Sequence, residues 1–345
     1  MTKITRKLLQ ITAACAAMLA GSALWADQRP VAMIIAQGGL GDGSWNDTAN
    51  AGFQSGLKAT GLEGKTIESA DVVAQGEEIM RRGADGGFGL VISLEWIHGE
   101  PMEILAKDYP DTNWVIMNQT RAGDNIASVV FGEHQGSFLA GALAAQVTTD
   151  TSIKGINAAA KIGVIGGFKA PGIDKFIVGY IQGAKAVNPD IEVMVAYADS
   201  FGDPAKGLQM ANAMFDSGAD IVYQVAGGTG IGIIEAAKAR GQYAIGVDTD
   251  QDGMAPGNVL TSMVKRVDVA VDGILKNYAD DKFPGGQVIS FGLAENGVAL
   301  SDMKYTKDII PAAYLEKVTA FRDQIIAGSI AVWDVSAQGY PDFFK

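Results

Sequence analysis

Two similar α/β lobes, each a doubly wound parallel sheet flanked by helices, are predicted by three features of this chain. Short, nearly unbroken apolar runs alternate with helix-length stretches, the pattern of parallel strands buried on both faces. That alternation runs to about residue 147 and then restarts. One junction also occurs twice: Arg82-Gly83-Ala84-Asp85 leads into the run at 90–94, and Ser217-Gly218-Ala219-Asp220 into the run at 221–225. In both, glycine reads as a helix C-cap just ahead of a buried strand.

In the first half, residues 31–37 (VAMIIAQ) read as a strand and run into the glycine-dense turn 38–43. Residues 48–60 carry Ala51, Phe53, Leu57 and Ala59 in a loose helical pattern. A helix at 74–83, a strand at 90–94, a helix at 101–109 and strands at 114–117 and 129–131 follow. Residues 136–147 (GSFLAGALAAQV) form a helix of small residues. The second half gives strand 161–165, helix 173–187, strand 191–196 and helix 204–217, with Pro204 at a favoured helix start. Strand 221–225, helix 232–240 and strand 243–247 complete it. The expected lobes are 27–147 plus about 256–288, and 148–255 plus about 289–345.

The chain has 345 residues, 48% of them apolar and 19% charged, ample for packed cores. Residues 1–26 open with Lys3, Arg6 and Lys7, run apolar to Trp25 and end at Ala26, the layout of a cleaved secretory signal. Its removal leaves 24 Lys and Arg against 39 Asp and Glu and takes away Cys15, the single cysteine. Thr12 stands where a lipobox wants Leu, so a free periplasmic monomer without disulfides or lipid anchor is expected. A pI near 4.7 argues against a nucleic-acid partner. Two histidines, His98 and His134, leave almost no zinc ligands, and neither metal nor cofactor is expected.

In open α/β sheets, ligands bind off the carboxyl ends of the strands, and two facing lobes place those ends around one cleft. The strand-end residues therefore carry the function. After the first strand, 41–47 offers the Asp42 carboxylate, the Trp45 indole and the Asn46 amide just before a helix. The competing reading has Ser44 or Asp47 capping that helix and Trp45 as packing. Glu95, Trp96 and His98 follow the strand at 90–94, and Asn118 and Gln119 the next one. Phe201 is apolar within the polar loop 199–204. The run Gly227-Gly228-Thr229-Gly230 lacks the full dinucleotide spacing and a Walker lysine, so its glycines read as a wall where backbone approaches a ligand closely. Of Asp248 and Asp250, one is expected to accept hydrogen bonds from ligand hydroxyls, the other to be structural or at the hinge, with Lys265 nearby. There is no nucleophile elbow and no triad context, so no catalytic residue is expected. The rivals of a different class are a periplasmic glycosidase or nucleosidase and an extracytoplasmic sensor domain.

Seven segments carry a further resemblance: GDGSWND (41–47), ASVVFGEHQGSFLAGALAA (127–145), GGFKAPGIDKF (166–176), DSFGDPAKG (199–207), AGGTGIG (226–232), IGVDTDQD (245–252) and TSMVKRVD (261–268). In order and at plausible spacing, they resemble the basic membrane protein family of ABC-transporter substrate-binding proteins, in its purine nucleoside receptor (PnrA-like) branch. The resemblance implies a type I periplasmic-binding fold with three crossings between lobes, closure on the ligand, and delivery to a permease and ATPase. It implies a purine nucleoside of the adenosine, guanosine or inosine type, with a free purine base, a flavin or a sugar as alternatives on the same fold. Trp45, where the family usually has Phe, and Phe201 would hold the base, with Asn46 as the paired amide and Gly228 in the backbone wall. Asp248 and Lys265 would bind the ribose, and Asn118 stands where many members have Asp.

Physical chemistry agrees with that assignment. Stacking on an aromatic ring is worth roughly 1–3 kcal/mol per base. A vicinal diol offers two donors to one carboxylate in charge-assisted bonds. Lys265 is expected to keep Asp248 from standing as an unpaired buried charge.

Overall fold

The computed structural model describes residues 28–344; the expected signal, with Cys15, lies outside them. The first sheet is built from β1 (Val31–Ile34), β2 (Gly64–Ile67), β3 (Leu90–Ser93), β4 (Asn113–Met117) and β5 (Ile126–Phe131), with β11 (Val288–Phe291) at its edge. The second holds β6 (Lys161–Gly166), β7 (Glu192–Tyr197), β8 (Ala219–Val225), β9 (Tyr243–Asp248) and β10 (Val259–Lys265), with β12 (Val298–Leu300) at its edge. Their spatial orders, β11-β5-β4-β3-β1-β2 and β12-β10-β9-β8-β6-β7, are one arrangement used twice. The ladders are parallel except β12 on β10. Every residue of β1, β3 and β8 is buried, which is why β1 and β3 read as nearly unbroken apolar runs, while β8 also buries Asp220 and Gln224.

The helices of the first half are α1 (Trp45–Thr60), α2 (Gly76–Asp85), α3 (Gly99–Asp108) and α4 (Glu133–Thr148). Then come α5 (Pro171–Val187), α6 (Pro204–Asp216), α7 (Thr229–Arg240), α8 (Val267–Ala279), α9 (Ala312–Ile326) and the short α10 (Val335–Gln338). Buried α4 and α5 meet backbone to backbone. A Cβ on Gly183 would lie 1.9 Å from the Phe138 carbonyl oxygen, and one on Gly141 2.0 Å from that of Tyr180. The run of small residues in α4 is thus a contact surface between helices.

Three crossings join the lobes. The chain leaves β5 for α4, which packs on α5; it leaves β10 for α8, which packs back on α1; and it passes from β11 to β12. The expected lobe boundaries shift accordingly. Residues 133–147 sit with the second lobe because the first crossing falls at Gly132. The strand within 256–288 also belongs there, since β10 pairs with β9, whereas β11 pairs with β5 of the first lobe. The duplicated junction needs a correction too. Gly218 is left-handed (φ 99°) just past α6, as a C-cap requires, but Gly83 lies inside α2. A Cβ there would come 3.3 Å from Val91 Cγ2, so that glycine serves helix–sheet packing.

Candidate functional site

A cavity of about 820 Å³ lies between the lobes, off the carboxyl ends of both sheets. Gln37 follows β1, Glu95 follows β3, Asn118 follows β4, Phe168 follows β6, Gly227 follows β8, Asp248 ends β9 and Lys265 ends β10; all line it. These are the positions at which a sheet of this order takes a ligand.

The loop before α1 is held by its own carboxylates. Asp42 accepts the amides of Ser44 (2.9 Å), Asn46 (2.9 Å) and Asp47 (3.1 Å), so it caps the helix in place of Ser44 or Asp47. Asp47 instead closes the glycine turn, accepting from the Gly41 and Gly43 amides at 2.8 Å each. Burial raises the Asp42 carboxyl to about 6 against the pull of those three amides. Because its ordinary value is 3.8, the folded state holds the Asp42 proton more tightly, and ionising it costs stability as pH rises through that window. Relative to wild type, Asp42→Asn should gain about 2 kcal/mol between pH 4.5 and pH 7.5, measured by urea unfolding of both proteins. An equal offset at both pH values would contradict the assignment.

Two expected site residues stand outside the cavity wall. Asn46 is buried; its Oδ1 accepts the Ala36 amide (2.9 Å), and its Nδ2 donates to the Gln37 (3.2 Å) and Gly39 (3.1 Å) carbonyls. Its amide is consumed in shaping the turn after β1. Gly228 is buried behind the wall, where a Cβ would meet the Phe201 carbonyl at 3.1 Å, and its neighbour Gly227 (φ 54°) lines the cavity.

The others converge. Trp45 lies edge-on to Phe131 (6.3 Å between centroids, 87°), and Phe201 tilts against Phe168 at 5.2 Å. All four rings line the cavity. Asn118 (φ 64°) and Asp248 (φ 66°) both adopt the left-handed conformation that Asn and Asp tolerate best among residues with a Cβ. The buried Oδ1 of Asn118 and Nδ1 of His134, both on cavity-lining residues, have no hydrogen-bond partner among the described residues. Such groups call for a ligand or water. Burial and the Lys175 charge hold His134 down at about 4, so its imidazole is neutral at pH 7.

Lys265 does not pair with Asp248. Its buried Nζ lies 3.1 Å from Glu133 Oε1, and Glu133 rather than Asp248 is its ion-pair partner among the described residues. Glu133 Oε2 meets Lys175 at 2.9 Å, and Lys175 reaches Asp334 at 3.7 Å. Burial alone would raise Glu133, but Lys175 and Lys265 together hold it at about 2. The rings of Trp45, Phe131 and Phe176 surround the Lys265 ammonium at 4.0, 4.9 and 5.4 Å. Asp248 accepts from Ser44 Oγ at 2.6 Å; burial raises its carboxyl, with Lys265 and Ser44 opposing the rise. Asp250 accepts the Asp252 amide at 3.0 Å.

His98 is engaged elsewhere, with Ser93 Oγ at Nδ1 and the Val72 carbonyl at Nε2, each at 2.8 Å, and burial lowers its pKa. The described residues hold no cluster of three or more His, Cys, Asp or Glu suited to a metal ion. None of their helices is long and apolar enough to cross a membrane.

Fold and cleft together define a class: the two-lobed type I periplasmic-binding fold with its ligand cleft between the lobes. Residues 29–335 match the family described as ABC transporter substrate-binding protein PnrA-like, and the chain belongs to that family. It is 34% identical over 324 residues to the CD4+ T-cell-stimulating antigen of Listeria innocua, covering 88% of this chain and 87% of that protein. It is 33% identical over 322 residues to the ABC transporter nucleoside-binding protein BmpA of Lactococcus lactis, covering 87% and 88%. Among solved structures, a solute-binding protein of an ABC transporter system from Aeropyrum pernix superposes with a TM-score of 0.82 at 27% identity, covering 88% of this chain and 93% of that one. The family resemblance of the seven segments and the type I fold both hold. Membership makes this protein an extracytoplasmic substrate-binding component, with a small molecule as ligand and an ABC permease as partner.

Proposed function

We propose that the protein binds a purine nucleoside in the interlobe cleft and delivers it to its permease in the inner membrane. One observation carries the reading: Trp45, Phe201 and the buried Asp248 carboxylate line the same cavity, beside Lys265. A flat heterocycle suits the rings, and a vicinal diol suits a carboxylate with an oxygen left over from Ser44. Asn118 adds an amide of the kind that matches the donor–acceptor pair at the N6–N7 edge of adenine. The named nucleoside specificity of the Lactococcus lactis relative supports the same ligand class. The basic and apolar leader at 1–26 supports export.

Calorimetric titration with adenosine, guanosine, inosine and adenine tests the proposal. At least one nucleoside should bind about tenfold or more tighter than adenine, a gap of roughly 1.4 kcal/mol. No heat with any of the four contradicts it. Chromatography of the same mixtures should show no released base; its appearance would mark a nucleosidase.

A further inference from the structure

We infer that Ser44 and Gln251 form a latch that ties the two lobes together over the ligand and sets its residence time. The inference rests on the cleft-binding reading above but names residues with no expected contact to the ligand. Ser44 occupies the N-cap of α1, where a serine hydroxyl ordinarily accepts from the first amides of its own helix. Here Asp42 takes those amides, and Ser44 Oγ is left to donate across the lobe boundary to Asp248 Oδ2 at 2.6 Å, with Ser44 wholly buried.

One residue earlier a second tie crosses the same boundary. Gln251 Nε2 donates to the Gly43 carbonyl at 2.8 Å. The amide is fixed in that orientation because its Oε1 accepts from the Val247 amide (3.0 Å) and from Gln224 Nε2 (2.7 Å). Consecutive residues of the first lobe, immediately before Trp45, are thus bonded to the loop of the second lobe that carries Asp248. Trp45 and Asp248 are brought over the ligand by the same closure. Opening breaks one buried hydrogen bond to a charged group and one between neutral groups, each left without water until the cleft is wide.

A ligand meets the open form before the latch exists, so the latch acts on dissociation rather than encounter. Stopped-flow tryptophan fluorescence of adenosine binding to the full exported chain tests this with Ser44→Ala and Gln251→Glu; the second keeps the acceptor oxygens and loses the donor. Each variant should release adenosine about tenfold faster, consistent with losing a buried hydrogen bond, while association stays within about twofold. Unchanged dissociation in both variants, or a loss confined to association, overturns the latch. A wild-type protein that binds no nucleoside refutes the ligand assignment instead. The latch is then read from amide exchange across 42–47 without added nucleoside: faster exchange in Gln251→Glu supports it, and equal exchange overturns it.

Discussion

Asp248→Ala should weaken adenosine binding by about 100-fold or more, because the proposed binding mode loses two charge-assisted hydrogen bonds to the diol, at roughly 1.5–3 kcal/mol each before compensation by water. Adenine carries no diol and should lose at least about tenfold less than adenosine, its own loss reporting only the broken tie to Ser44. Calorimetry of both ligands on both proteins measures the difference. Equal losses for nucleoside and base would place the ribose elsewhere. The variant without ligand should be no less stable than wild type, since Asp248 is a buried carboxylate whose pKa burial has raised.

Lys265→Met is expected to damage both fold and site. Glu133 is buried between two ammonium groups, and removal of one leaves a carboxylate held only by Lys175. Breaking a buried pair from one side costs about 3–5 kcal/mol; the remaining partner keeps this case near the lower end, about 3 kcal/mol in urea unfolding. Adding Glu133→Gln should return most of that stability, because the stranded charge is gone, without restoring nucleoside affinity. If the double variant were as unstable as Lys265→Met alone, the lysine would matter for packing rather than charge. The Glu133 carboxyl, at about 2 against an ordinary 4.5, also gives a pH signature. Its stabilisation is fully present above pH 4.5 and lost as pH falls toward 2, and Glu133→Gln should abolish that share.

The parts of the molecule legible in the sequence share a physical cause. Strands buried on both faces leave apolar runs such as VAMI and LVIS, and the residues just beyond them face the cleft by topology alone. Asp42, Trp45, Asn118, Phe201 and Asp248 were reachable by that route, and all line the cavity, as does Lys265, whose strand no sequence pattern marked. β2 (GKTI) was not legible, because an exposed edge strand needs no apolar pattern. The region after residue 250 was equally opaque, since its strands alternate between the two sheets and belong to neither half in sequence.

Side-chain partners were the main loss. Nothing local tells that Asn46 turns inward to hold the β1 turn, or that Lys265 pairs with a residue 132 positions earlier. One signal was present: Glu133 opens a helix whose remaining residues, 134–148, contain no Asp, Glu, Lys or Arg, and a lone charge ahead of a buried helix implies a buried partner. Phe131 and Phe168 lay in a strand and a glycine-rich turn, where no periodicity singles out an aromatic wall.

The most direct measurement is a crystal structure of the protein grown with whichever nucleoside binds tightest in the titration. Density for the purine between Trp45 and Phe201, with the ribose 2′ and 3′ hydroxyls on Asp248, is the predicted result. A cleft empty of nucleoside at saturating concentration, or a base bound away from those two rings, would contradict it.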